Sequence, residues 1–241
     1  MIKGVIFDLE ETLRRAVKNP AEQERAAARA ATLAGYPDAA SFTGAVMGRY
    51  DAYLSWARSE NREAGDFELW HGWLLPEVDE KHLRLVCRDL TAQFRRIEGE
   101  RRVVPGGLRA VRRLYERGLR LGIVSNLIGE AEVPLWLEES GVKQYFDAVI
   151  LSSVCHIRRP DPAVYRLACG ELGLEPGECA SVSGGSGRDM EGEKAAGIGL
   201  SILLAGEDPG GRSGADCVVS SFSEILELPA LRQSGREAWK E

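Results

Sequence analysis

Met1-Ile2-Lys3-Gly4-Val5-Ile6-Phe7-Asp8-Leu9-Glu10-Glu11-Thr12-Leu13 opens the chain. The run Val5-Ile6-Phe7 is short, continuous and apolar, as a strand covered on both faces would be, and it ends on a carboxylate. A second acid follows two positions later, with Thr12-Leu13 behind it. Open parallel sheets bind their ligands beyond the carboxyl ends of the strands, so Asp8, which closes this strand, is the first residue to inspect for chemistry.

The rest of the chain extends this reading. Beyond residue 104, short apolar runs alternate with helical periodicity. Strands are expected at 119–124, 148–151, 179–183, 200–204 and 217–219, with helices at 106–117, 130–140, 162–173 and 189–197. Pro105 with Gly106-Gly107 marks the start of the first helix and Gly118 its end. Residues 15–98 carry no convincing strand. Instead Ala27, Ala30, Ala31 and Ala34, then Val46, Tyr50, Tyr53, Leu54 and Ala57, then Leu83, Val86, Cys87, Leu90 and Phe94 recur at helical spacing. The expectation is an α/β core formed by 1–14 and 99–241, with an all-helical unit of 15–98 inserted after the first strand and hinges near 14–18 and 98–103.

Composition narrows the partners. A chain of 241 residues, 44% hydrophobic, can bury an ordinary core. The formal net charge of −6 and the lack of a dense Lys/Arg block make nucleic acid a poor partner, whereas a small phosphorylated molecule needs only local cations. Cys87, Cys155, Cys169, Cys179 and Cys217 are odd in number, widely spread and without a Cys-x-x-Cys pair, which is the usage of reduced thiols. The apolar start is too short for a signal peptide or a membrane span. A cytoplasmic protein without a membrane partner is therefore expected, and no signature of an oligomeric state is visible.

Three further stretches join Asp8. Ser125-Asn126 follows the strand expected at 119–124. Ile157-Arg158-Arg159-Pro160-Asp161-Pro162 leads into a helix, for which Pro160-Asp161-Pro162 is good starting chemistry in its own right. Ser183-Gly184-Gly185-Ser186-Gly187-Arg188-Asp189-Met190-Glu191-Gly192 connects the strand at 179–183 to a helix, and its glycines are a weak signal for an anion cradle.

Together the four stretches resemble the motifs of the haloacid dehalogenase superfamily, over essentially the whole chain. The resemblance implies a Rossmann-like α/β core with an inserted all-helical cap. It implies Asp8 as a nucleophile that becomes transiently phosphorylated, Glu10 as general acid/base, and Thr12, Ser125, Asn126 and Arg159 as the substrate-binding set. Within that set Ser125 and Arg159 would hold the phosphoryl oxygens. It also implies Mg²⁺ on Asp8, the carbonyl of Glu10 and Asp189. Attack by a carboxylate gives an acyl-phosphate and divides a difficult transfer into two steps.

The sequence departs from the pattern at four places. Glu10 stands for an Asp and reaches one methylene further, and a misplacement of about 1 Å can cost on the order of a hundredfold in rate. Glu11 stands for a Gly beside the nucleophile, where bulk and negative charge would oppose an incoming phosphate. Arg159 stands for a Lys, which keeps the charge and changes the geometry. The first metal-binding Asp falls on Gly184, or on Ser183 if one residue is inserted, so Mg²⁺ is expected to bind weakly or not at all.

Three functions compete: a phosphatase for a small phosphorylated metabolite; a catalytically degenerate fold used for binding or regulation; and a metal-free 2-haloacid dehalogenase-like hydrolase, with Arg49 or Arg58 receiving the halide. Several other residues have bland readings. His71, His82 and His156 have no ligand spacing. Trp56, Trp70 and Trp73 are core candidates that would otherwise line a pocket above Asp8. The Arg95-Arg96 and Arg101-Arg102 pairs read as a solvated face or as neighbours of a bound anion.

Overall fold

The computed structural model describes residues 1–184, 188–205 and 214–232, with the side chains of Arg188 and Asp189 outside that set. In chain order the elements are β1 (Gly4–Phe7), β2 (Arg14–Val17), α1 (Pro20–Ala34), α2 (Ala39–Ser59), a π-helix (Glu68–Leu74), α3 (Glu80–Glu98), β3 (Glu100–Val103) and α4 (Gly107–Glu116). They continue with β4 (Arg120–Ser125), α5 (Glu132–Glu139), β5 (Ala148–Leu151), α6 (Ser152–Cys155) and α7 (Pro162–Leu172). The last are β6 (Cys179–Ser183), α8 (Arg188–Ala196), β7 (Leu200–Leu204), β8 (Cys217–Val219) and α9 (Phe222–Glu227).

Among the described residues, six strands form one parallel sheet in the order β5-β4-β1-β6-β7-β8. The register places Phe7 beside Ile123 on one side and Val182 on the other, so β1 lies at the centre and its end is flanked by the ends of β4 and β6. Side chains alternate across the sheet. Val5, Phe7, Leu121, Ile123, Ala180 and Val182 pack on one face against Ala110, Val111 and Leu114 of α4, Val133 and Leu137 of α5, and Phe222 and Ile225 of α9. Ile6, Val124, Ile150 and Cys179 pack on the other face against Val164, Ala168 and Leu172 of α7 and Ala196 of α8. Burial on both faces explains why the strands read as continuous apolar runs rather than alternating ones. The fold is the expected Rossmann-like α/β class.

Residues between β1 and α4 form a helical unit with its own core, which includes Ala30, Ala31, Phe42, Val46, Tyr53, Trp70, Leu83, Leu90 and Phe94. Its helices start where side chains cap them. Asn19 accepts from Glu22 N at 3.4 Å, Asp38 from Ser41 N at 2.7 Å and Asp79 from His82 N at 2.9 Å. Gly35 closes α1 in the left-handed conformation, φ 76°. Trp70 is fully buried and donates its indole N–H to Thr91 Oγ1 at 2.8 Å, so it is core and lines no pocket. Ile128, from the loop after β4, enters this helical core and ties the insert to the sheet below it.

The crossing between insert and sheet differs from expectation. Where the sequence predicts two hinges, β2 and β3 pair antiparallel, Arg14 opposite Val103 and Val17 opposite Glu100. Both segments, RRAV and ERRV, are too charged and too short to read as strands. Their pairing joins residues far apart in sequence and leaves no periodic trace. No helix among the described residues is long and apolar enough to cross a membrane.

Candidate active site

Asp8 continues β1 by one residue, its N–H donating to Val182 O at 2.9 Å, and its carboxylate is buried. Oδ1 accepts from Leu9 N at 2.7 Å and from Ser125 Oγ at 3.1 Å. Oδ2 pairs with Arg159 Nη2 at 3.0 Å. Three of the four motif stretches thus converge on one carboxylate, because the β1–β4 register carries the last residue of β4 alongside Asp8 and the segment after β5 returns over the same edge.

The remaining motif residues hold this arrangement rather than point into it. Asn126 grips the backbone of Arg159 at both ends: its Nδ2 donates to Arg159 O at 3.0 Å and its Oδ1 accepts from Arg159 N at 2.9 Å. Thr12 is fully buried and its Oγ1 accepts from Gly184 N at 2.7 Å, which joins the turn after β1 to the loop after β6. Glu11 takes a left-handed conformation, φ 58°, and is exposed, so its side chain turns outward and the crowding expected beside Asp8 does not arise.

Glu10 departs most from its expected role as acid/base. Its Oε1 accepts from Arg14 Nη2 at 2.6 Å and Arg95 Nη2 at 2.8 Å, and its Oε2 lies 3.4 Å from Arg101 Nε. Glu132 adds Arg95 Nε at 2.8 Å and Arg14 Nη1 at 3.1 Å, while Glu98 adds Arg95 Nη1 at 2.6 Å and Arg101 Nη2 at 2.8 Å. The result is a charge-balanced cluster of three guanidiniums and three carboxylates beside the ribbon. Burial alone would depress the Arg95 pKa, but Glu132, Glu98 and Glu10 outweigh it and raise it. Burial likewise works to raise the Glu132 pKa, and Arg95, Arg14 and Arg101 bring it below the usual carboxylate range. Arg95 and Arg101 are accordingly neither a solvated face nor ready for a bound anion, although Arg96 and Arg102 are exposed.

The implied Mg²⁺ does not fit the described residues. Gly184 packs so closely on the turn after β1 that a Cβ would overlap the carbonyl of Glu11, and no carboxylate can stand at that position. The Asp8 carboxylate, an implied ligand, is already engaged by Ser125 Oγ and Arg159 Nη2. Glu193 is buried against Ser181 Oγ and Glu191 is exposed, so neither fills the place of the missing acid. The side chain of Asp189 lies outside the described residues. Among the described residues no three His, Cys, Asp or Glu side chains converge.

The halide-receiving role expected of Arg49 is not supported, since its Nη1 donates to Leu74 O at 2.7 Å and contacts Glu77 at 2.8 Å within the insert; Arg58 is exposed on α2.

One buried cluster escaped the sequence reading. Glu63, in the segment after α2, accepts from Tyr53 Oη, from Arg158 Nη1 and, at 2.8 Å, from Ser152 Oγ. Burial pushes its carboxyl above the ordinary range, with Arg158, Tyr53 and Ser152 opposing the shift. The only sequence signal was Arg158 beside Arg159; a buried acid inside the polar stretch 59–66 has no pattern to betray it.

Comparison with known proteins agrees with this geometry. A family model described as a haloacid dehalogenase-like hydrolase matches residues 2–197. The chain is 30% identical over 104 residues to N-acylneuraminate-9-phosphatase of Rattus norvegicus, covering 41% of this chain and 40% of that one. It is 35% identical over 138 residues to the "Phosphoglycolate phosphatase, plasmid" of Cupriavidus necator, covering 56% of each. The chain thus spans about half the length of these curated relatives or less. Two solved structures share the fold: a HAD phosphatase from Thermococcus onnurineus, with TM-score 0.62, 23% identity and coverage of 96% of this chain and 100% of that one, and a 2-haloacid dehalogenase from Pseudomonas syringae pv. Tomato DC3000, with TM-score 0.68, 18% identity and coverage of 94% and 97%. With its motif residues gathered on one edge of a parallel sheet and a family match running through them, the chain belongs to the haloacid dehalogenase-like hydrolases.

Proposed function

We propose that the chain is a phosphatase of small phosphorylated molecules with Asp8 as phosphoryl acceptor. One observation carries this: the Asp8 carboxylate lies between a hydroxyl and a guanidinium, Ser125 Oγ at 3.1 Å and Arg159 Nη2 at 3.0 Å, both able to hold phosphoryl oxygens. Two of the phosphatases to which the chain is similar support the same substrate class. A carboxylate oxygen of Asp8 attacks phosphorus, the bond to the leaving oxygen breaks, and the leaving group departs with that electron pair. Water then attacks the aspartyl-phosphate, returning Asp8 and releasing inorganic phosphate. Arg159 supplies the counter-charge for both carboxylate and phosphate, and no step is routed through Mg²⁺.

Glu10 is assigned to the arginine cluster, and the leaving group is protonated by water. Esters whose leaving group departs as a stable anion, such as aryl phosphates, are therefore the better substrates. The helical insert is taken as the cap that selects among them. The test is hydrolysis of an aryl phosphate, with Mg²⁺ and with chelator, against Asp8→Asn. Turnover that persists in chelator and vanishes in the variant supports the proposal; turnover equal to that of Asp8→Asn refutes it.

The closed Gly184 position and the arginine-bound Glu10 favour a second reading, a fold that binds a phosphorylated ligand without turning it over. That reading predicts a melting temperature raised by inorganic phosphate together with no turnover in either metal condition.

A further inference from the structure

We propose that Glu63, with the backbone of residues 61–63, is a positioning strap through which the helical insert sets Arg159 against Asp8. Residues 61–63 run antiparallel to residues 156–158. Arg62 bridges Ile157, Glu63 N donates to His156 O at 3.3 Å, and Arg158 N donates to Asn61 O at 2.8 Å. The His156 ring closes the pairing with Nδ1 3.1 Å from Glu63 O, and His156 itself sits in the left-handed region at φ 61°, rare for a residue with a side chain. The Glu63 carboxylate, fully buried, then reaches from the insert to two groups of the sheet domain, the Arg158 guanidinium and Ser152 Oγ. Ser152 Oγ is in turn held by the peptide of Leu127, accepting from its N at 3.0 Å.

The segment that presents Arg159 is therefore clamped from two sides. Asn126 holds the Arg159 peptide from the sheet, and residues 61–63 hold the three residues before it from the insert. The two bonds from Asn126 hold the peptides on either side of the Arg159 Cα. The strap fixes the residues that precede it along an antiparallel pairing and anchors them with a buried ion pair. Glu63 touches neither Asp8 nor Arg159 through any bond described above. Its effect runs through Arg158 and the backbone, which makes it a positioning residue and not a catalytic one.

The importance given to Arg159 rests on the proposed phosphatase reading, but the hold on residues 156–159 does not, and the two are tested separately. The first measurement is the side-chain ¹⁵Nε–Hε order of Arg159 in the full chain, assigned with Arg159→Lys, with Arg14 of the other buried cluster as internal control. Glu63→Gln keeps one acceptor oxygen, which serves Tyr53 Oη or Ser152 Oγ while the other hydroxyl turns to accept from the amide, and it removes the charge from Arg158. It should lower the order of Arg159 while leaving Arg14 unchanged. Should Glu63→Gln fail to fold, Arg158→Gln, which removes the other half of the pair from a partly exposed site, carries the same expectation. Arg159 as rigid as in the wild type, in a folded variant, overturns the strap, and so does equal loosening of Arg14, which would mark a general structural role. In the same variants kcat/KM for an aryl phosphate should fall roughly ten- to a hundredfold, with rescue by Glu63→Asp. Loosened Arg159 with no phosphatase activity even in the wild type would sink the phosphatase reading and leave the strap standing.

Discussion

Gly184 rests on the carbonyl of Glu11 with no room for a Cβ, and its N–H donates to Thr12 Oγ1 at 2.7 Å. A carboxylate at Gly184, one of the two positions the family pattern gives it, would have to displace the turn after β1. Gly184→Asp should not restore a metal site. It forces the Glu11 turn to move and should cost about 1–3 kcal/mol in urea unfolding, with no rise of melting temperature on adding Mg²⁺. A stable variant with a metal-linked rise would show that the turn yields.

Glu10 neutralises Arg14, which is fully buried, together with Arg95 and Arg101. Removing one charge from this half-buried, balanced cluster leaves excess positive charge on the buried Arg14, Arg95 and Arg101. Glu10→Gln should lower stability by about 2–3 kcal/mol, less than for a fully buried pair because the Glu10 carboxylate is partly exposed, measured by denaturant titration. A cost below about 1 kcal/mol would place Glu10 among surface pairs and return it to consideration as an acid/base.

The cluster also sets an acid limit on stability. Glu132 has its pKa lowered in the fold from an ordinary value of 4.5, so the unfolded chain takes up a proton before the folded one does. Its contribution is present above pH 4.5 and is lost as pH falls through the depressed folded value. Glu132→Gln should be less stable than the wild type at neutral pH, and the gap should narrow on acidification through that window. A gap that stays constant from neutral pH to the acid transition would contradict this.

Gly192 on α8 lies against the carbonyl of Pro160, again without space for a Cβ. Gly192→Ala should push the 159–161 segment away from α8. The expected result is a loss of about 1–3 kcal/mol together with weakened hydrolysis, read as a lower kcat/KM for an aryl phosphate. Full activity in that variant would show that this packing does not bear on Arg159.

The fold was far more legible than the site. Strands at 148–151, 179–183, 200–204 and 217–219 coincide with β5, β6, β7 and β8. Cover on both faces writes short runs of apolar and small residues into the inner strands, and at the edge strand β8 the run Cys217-Val218-Val219 is apolar although Val218 is exposed. Asp8 and Ser125 were equally visible as the residues that end apolar strands, and Arg159 as the cation just before Pro160-Asp161-Pro162, which starts α7. What stayed hidden depends on pairs distant in sequence. The Glu10 carboxylate is claimed by Arg95 and Arg101, some ninety residues away, and Glu63 by Arg158. Gly184 reads as a lost ligand in sequence, and only the packing against Glu11 shows why nothing larger stands there. Asp189, named as a metal ligand from the motif, has its side chain outside the described residues.

Transfer of a phosphoryl group to Asp8 is read out by intact-mass analysis of acid-quenched protein. After brief exposure to an aryl phosphate in chelator, the wild type should carry one phosphoryl group, mapped to Asp8 and discharged on further incubation, while Asp8→Asn carries none. The same adduct on Asp8→Asn, or none on a wild type that hydrolyses the ester, would contradict the account.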